Sequence, residues 1–293
     1  MKAVDLPIVV GVDGSEPSLR AVDWAADEAA LRRAPLRLVY ASLWERYEGA
    51  LLAQELDKPL EEVMAQDVVG AARQRARRRQ PGVKVTTGVL AAEPDYGLVR
   101  ESCTALAMVL GCRGRGGIAE ALLGSVSLAV AGHAQCPVIV LRGSHDNQAR
   151  SGTRGRIVLG VGEKPAGSAA VRFATEEAAL RGVPLAAVRA WRHPVHAATG
   201  HPLIVGDPAR VEEQEAVEVL EEALRDTPAG LETQRRTVEG HARNVLVAAS
   251  HEADLLVVGA RRRHGHFGLQ LGRVSHGVLH HAACPVAVVP ELS

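Results

Sequence analysis

The residues best suited to chemistry lie between Gly111 and Ser127. The run holds Gly111, Cys112, Arg113, Gly114, Arg115, Gly116 and Gly117, and then Gly124, Ser125, Val126 and Ser127. The clustered glycines remove side chains where a ligand can approach the main chain. Arg113 and Arg115 add positive charge beside them. Gly124 and Ser125 stand just before a helical run, where free N–H groups and a hydroxyl can face an anion. The chemistry this predicts is a grip on a phosphate chain. No lysine follows the glycines, so this is not a Walker A loop, and the dinucleotide fingerprint G-x-G-x-x-G fits poorly.

Such a loop works only if a strand and a helix hold its two ends. The apolar run 105–110 reads as a buried parallel strand, and 126–131 reads as the helix that follows. Upstream, 7–12 is a short apolar strand closed by the turn Asp13, Gly14, Ser15. Ser15 can cap the next helix, with Pro17 in its first turn. That helix runs to about residue 33, with Val22, Ala25, Ala26 and Ala29 on one face, and Pro35 blocks its continuation. A second strand covers 36–41, and a less regular stretch runs from 42 to about 59. A helix over 60–79, an alternating strand over 83–89, a short helix over 95–102 and a fifth strand over 136–141 complete the unit.

The unit is written twice. Phe173 to Arg181 repeats Trp24 to Arg32, and Pro184 repeats Pro35. Cys284-Pro285-Val286 repeats Cys136-Pro137-Val138, and Gly259 repeats Gly111, both with a shift of 148. A repeat this long predicts a duplicated domain, over 1–142 and 156–293, with the polar stretch 143–155 as linker. Strands alternating with helices predict an α/β protein with parallel sheets, helices on both faces and a ligand crevice outside the carboxyl ends of the strands.

Composition narrows the classes. Lysine plus arginine equals aspartate plus glutamate, 34 against 34, which gives no general attraction to nucleic acid or membrane. Aromatics are 3%, too few for base-stacking platforms. The cysteines form no C-x-x-C pair, so neither a disulfide framework nor a zinc site is expected. No run reaches the ~18 apolar residues of a membrane span. With no apolar signal segment after Met1, the expected compartment is the cytoplasm.

Gly111, two residues, Gly114, nine residues, Gly124-Ser125 is a spacing that resembles the ATP-binding signature of the universal stress protein family. The resemblance covers both halves. It implies two tandem doubly wound domains, each with a five-stranded parallel sheet in the order 3-2-1-4-5. It also implies a nucleotide site in the first domain. Gly11 and Asp13 would close the first strand, with Asp13 accepting from ribose or adenine. Ala41 would offer main chain to the base. Gly111, Cys112, Arg113, Gly114, Arg115, Gly116 and Gly117 would wrap the phosphates of ATP, with or without magnesium. Ser125 and Val126 would supply N–H groups at the helix start, with Gly124 and Ser127 as further binding residues.

The second domain departs from this pattern. Gly162 stands in place of Asp13, Arg262 in place of Gly114, and Arg273 in place of Ser125. Weak or no ATP binding is expected there.

The remaining signals are smaller. His276 and His280 have one metal-ligand spacing, but no carboxylate or cysteine joins them in a recognised pattern. His193, His196 and His201 read as solvated. Arg73, Arg75, Arg77, Arg78 and Arg79 crowd a helix end and read as a solvated terminus rather than a nucleic-acid patch. Cys112 reads as a small loop residue in preference to a redox thiol, and the RGG-like fragment 113–117 as one isolated copy. Glu120 is the only carboxylate near the loop, and nothing marks it as a base, so no catalytic set is expected.

The function expected is that of an ATP-binding, nucleotide-responsive regulator in stress adaptation, with a regulatory protein partner that the sequence does not name. The alternatives are an enzyme, at most a slow ATPase or a nucleotide-transferring relative, and a nucleotide-free scaffold. The fifth strands are expected as sheet edges that pair, in an intrachain pseudo-dimer or a homodimer.

Overall fold

The computed structural model describes residues 6–43, 60–112, 123–142, 155–163, 168–192, 208–261 and 271–291. In the first half, β1 (Ile8–Gly11), α1 (Glu16–Arg32), β2 (Leu36–Ser42), α2 (Leu60–Arg79), β3 (Val85–Ala91), α3 (Pro94–Glu101), β4 (Ala107–Gly111), α4 (Ser125–His133) and β5 (Val138–Leu141) alternate. A 3₁₀ turn, Ser102–Thr104, extends α3. In the second half, β6 (Ile157–Gly160), α5 (Ala169–Arg181), β7 (Leu185–Trp191), α6 (Pro208–Leu224), β8 (Thr233–Glu239), α7 (Ala242–Ser250), β9 (Leu255–Arg261), α8 (Arg273–His281) and β10 (Val286–Glu291) repeat the plan.

Each half is a parallel sheet in the order 3-2-1-4-5, so each is doubly wound as expected. The two sheets are continuous. β5 pairs antiparallel with β10, Val140 opposite Val286, and one ten-stranded sheet results. The expected strand edges shift by one or two residues; the third strand is Val85–Ala91 in place of 83–89.

Alternate residues of each strand serve two cores. Val10 and Val109 face one with α1, α2, α5 and α6; Val9, Met108 and Leu110 face the other with α3, α4, α7 and α8. Burial on both faces explains why these strands read as continuous apolar runs.

α1 begins where its sequence says it should. Ser15 is extended and its hydroxyl accepts from Ser18 N, with Pro17 in the first turn. The helix ends on Arg33 in the left-handed conformation, φ 53°. The matching end of α5 is Gly182, φ 64°.

Of the arginines expected to be solvated on α2, two are structural. Arg75 donates to Asp23 and Arg79 to the buried Asp27 on α1. They tether α2 across the face of α1, a pairing that spacing along one helix does not reveal.

Candidate functional site

β1 and β4 are neighbours, with Val10 opposite Val109, so the turn after β1 and the segment after β4 meet at one end of the sheet. Gly111 marks that meeting. A Cβ there would lie 2.7 Å from the Pro17 carbonyl carbon and 3.0 Å from Ser18 N. The glycine is therefore required by close packing of the first turn of α1 on β4. This is a different reason from the ligand approach read from sequence.

Asp13 is half-buried in the turn. Its Oδ1 accepts from Ser15 N at 3.0 Å and from Ser15 Oγ at 2.6 Å. These bonds use one carboxylate oxygen and hold the side chain in the turn after β1. Ala41 lies near the end of β2, opposite Leu90. Its Cβ is 3.5 Å from where a Cβ on Gly97 would be, so α3 closes over that strand end. Gly11 has Leu110 and Leu98 against its open face.

On the other side of the crevice, the start of α4 is pinned to β4. Ser127 Oγ donates to Gly111 O at 2.7 Å, and Gly124 N donates to Cys112 O at 2.6 Å. Gly124 is the N-cap and has no side chain to offer, so the first N–H groups of α4, those of Ser125 and Val126, receive no side-chain cap. Uncapped N–H groups at a helix start favour an anion. Arg113, Gly114, Arg115, Gly116, Gly117 and Glu120 lie outside the described residues.

Sequence reasoning missed Arg142. It follows β5 and is buried, and burial lowers its pKa while the Cys112 side chain raises it. Its guanidinium donates to Leu279 O near the end of α8. Arg142 thus joins the base of the first crevice to the second half. The available signal was a break in the repeat, because Pro290 stands at the matching position.

The second half keeps part of this frame. Ser275 Oγ donates to Gly259 O at 3.3 Å, and Gly272 caps α8 with no side chain. The rest differs. Among the described residues nothing lies within 4 Å of a Cβ placed on Gly162. α5 starts later than α1, since Ala169 corresponds to Arg20 (169 − 149 = 20). The space that the Pro17 turn fills in the first half is taken by Glu291. Its carboxylate accepts from Ser168 Oγ, from Ala169 N at 2.9 Å and from Ala170 N at 3.1 Å, and it packs on Gly259. A resident negative charge therefore sits at this crevice. Arg262, His193, His196 and His201 lie outside the described residues. Among the described residues no group of three or more histidine, cysteine or acidic side chains could hold a metal. No helix among them is long and apolar enough to cross a membrane.

Comparison with known proteins agrees with this architecture. The family model described as the universal stress protein family matches residues 6–142 and again residues 153–290. A universal stress protein of Mycobacterium tuberculosis is 32% identical, over 97% of each chain. One of Mycolicibacterium smegmatis is also 32% identical, over 98% of each chain. The crystal structure of a universal stress protein from Archaeoglobus fulgidus superposes with a TM-score of 0.70 at 17% identity, covering 98% of this chain and 99% of that one. With the repeat, the two matched halves and full-length relatives in agreement, the chain belongs to the universal stress protein family, in a tandem form.

Proposed function

We propose that the first half binds an adenine nucleotide, ATP, and that the protein acts as a nucleotide-responsive regulator in stress adaptation. One observation carries this reading. The Asp13 turn and the uncapped start of α4 lie at the same end of the sheet, after the neighbouring strands β1 and β4, with α1 packed on Gly111 and Ser127 bonded to Gly111 O. Among the described residues the bonds to Asp13 use Oδ1, which leaves Oδ2 for a ribose or an adenine amine, and the α4 N–H groups suit phosphate. The second half lacks the aspartate and carries Glu291, so it is assigned no nucleotide. Arg142 supports the regulatory part, because it links the base of the site to α8.

Calorimetric titration of ATP tests the reading. Wild type should take up one nucleotide per chain. Gly114→Arg, which imports the second half's residue, should weaken binding by about tenfold or more, a loss of ~1.4 kcal/mol. Asp13→Ala should weaken it in the same direction. Unchanged affinity in Gly114→Arg would overturn the assignment of the site.

A further inference from the structure

The halves also differ away from the crevice, on the sheet face that carries α3 and α7. In the first half Arg37 of β2 reaches past Gly88 of β3 to Glu101 of α3. Its Nε donates to Oε2 at 2.6 Å and its NH2 to Oε1 at 3.0 Å. A Cβ on Gly88 would be 2.9 Å from the Arg37 guanidinium, so the glycine makes room for the pair. The second half replaces all three members. Ala186 matches Arg37 (186 − 37 = 149), Arg236 matches Gly88 (236 − 88 = 148), and Ala249 matches Glu101 (249 − 101 = 148).

Beside the replaced pair the second half has a cavity, and Arg236 and Ala249 are among its lining. It lies between β7, β8 and α7 and measures about 450 Å³, within the range of small-molecule sites. Val188, Val238, Val245 and Ala249 make its wall apolar. At one end Arg236 and Glu252 satisfy each other at 3.1 Å. At the other end both signs of charge are available. Glu239 and His241 line it, and Arg192 NH1 donates to the His241 ring at 3.1 Å. Among the described residues Arg192 meets no carboxylate.

We propose that this cavity is a binding site for a small zwitterion with an apolar body, the chemistry of a free hydrophobic amino acid. The side chain occupies the valine-lined wall, the carboxylate faces Arg192, and the ammonium faces Glu239. The site is independent of the nucleotide reading, since it shares no residue with the first crevice.

The test titrates L-phenylalanine and L-leucine into the full chain, followed by calorimetry and by amide shifts in ¹⁵N spectra. Saturable binding is expected, with shifts at Val188, Val238, Val245 and Ala249. 3-Phenylpropionate and 2-phenylethylamine, each with a single charge, should bind about tenfold more weakly or worse. Arg192→Gln and Glu239→Gln should each weaken the amino acid. Two cavity-filling variants should abolish binding. One is the triple exchange Ala186→Arg, Arg236→Gly, Ala249→Glu, which rebuilds the first half's pair. The other is Ala248→Trp at an exposed rim position, which spares the core if the triple variant fails to fold. No binding in wild type overturns the proposal, as does equal binding of a singly charged analogue. Binding that survives Ala248→Trp overturns it as well.

Discussion

Arg181 of α5 donates to the Glu28 carboxylate of α1 at 2.6 Å across the junction of the two halves, with both side chains buried. The relation is reciprocal, because Arg32 of α1 reaches Glu177 of α5. Within each helix the same arginine also meets its own glutamate, so a closed quartet forms. Each guanidinium lies over the other helix's aromatic ring, Arg32 at 5.4 Å from the centre of Phe173 and Arg181 at 5.8 Å from that of Trp24. Removing one member strands a buried charge, which costs about 3–5 kcal/mol, whereas exchanging a whole buried set for apolar residues is often neutral. Glu28→Ala should therefore destabilise by that amount and split urea unfolding into two transitions. Replacing Glu28, Arg32, Glu177 and Arg181 together by leucine or methionine should cost far less. Urea denaturation followed by tryptophan fluorescence and by circular dichroism distinguishes the two outcomes.

The two loop-base glycines should respond differently to a methyl group. Gly111→Ala puts Cβ 2.7 Å from the Pro17 main chain, which can retreat only if α1 moves. Gly259→Ala meets the end of the Glu291 side chain at 3.0 Å, which can turn aside. We expect about 2–3 kcal/mol of destabilisation for the first and about 1 kcal/mol or less for the second, measured by urea midpoints.

The helix ends offer a matched pair. Arg33 carries a side chain at φ 53°, where Gly182 carries none at φ 64°. Arg33→Gly should raise stability by about 0.5–1 kcal/mol, and Gly182→Ala should lower it by about 1 kcal/mol. Thermal melts of the two variants should move in opposite directions.

His280 gives the stability an acid limb. Burial holds its pKa below the usual histidine value, and the neighbouring His276, Arg142 and His281 lower it further. Its Nε2 is buried without a partner among the described residues. The folded chain keeps this ring neutral, while the unfolded chain takes up a proton below about pH 6.5. The contribution is complete above that pH and is lost as pH falls through the folded value. His280→Gln should flatten the fall in melting temperature between about pH 7 and pH 5.

Strand positions are legible in the sequence because buried parallel strands are apolar throughout, and the duplication is legible because Cys136-Pro137 and Cys284-Pro285 keep one offset. The helix start at Ser15 is legible from its cap. Features that depend on partners far along the chain are not. The repeated glutamate and arginine of α1 and α5 look like ordinary i,i+4 surface pairs until the halves are packed face to face. Ser102 and Ser250 look polar and exposed. They are buried, accepting from Gln135 N at 2.9 Å and from Ala283 N at 2.8 Å. Asp13 follows β1, Gly111 closes β4, and Gly124 and Ser127 stand at the start of α4. The packing role of Gly111 and the bridging role of Arg142 need three dimensions.

The antiparallel pairing of Val140 with Val286 has a geometric consequence. It turns one half end over end relative to the other, so the carboxyl ends of β1 and β4 point toward one pole of the molecule and those of β6 and β9 toward the opposite pole. Anything grasped at both poles is held back to back. The ten-stranded sheet itself is the structure that runs unbroken between them.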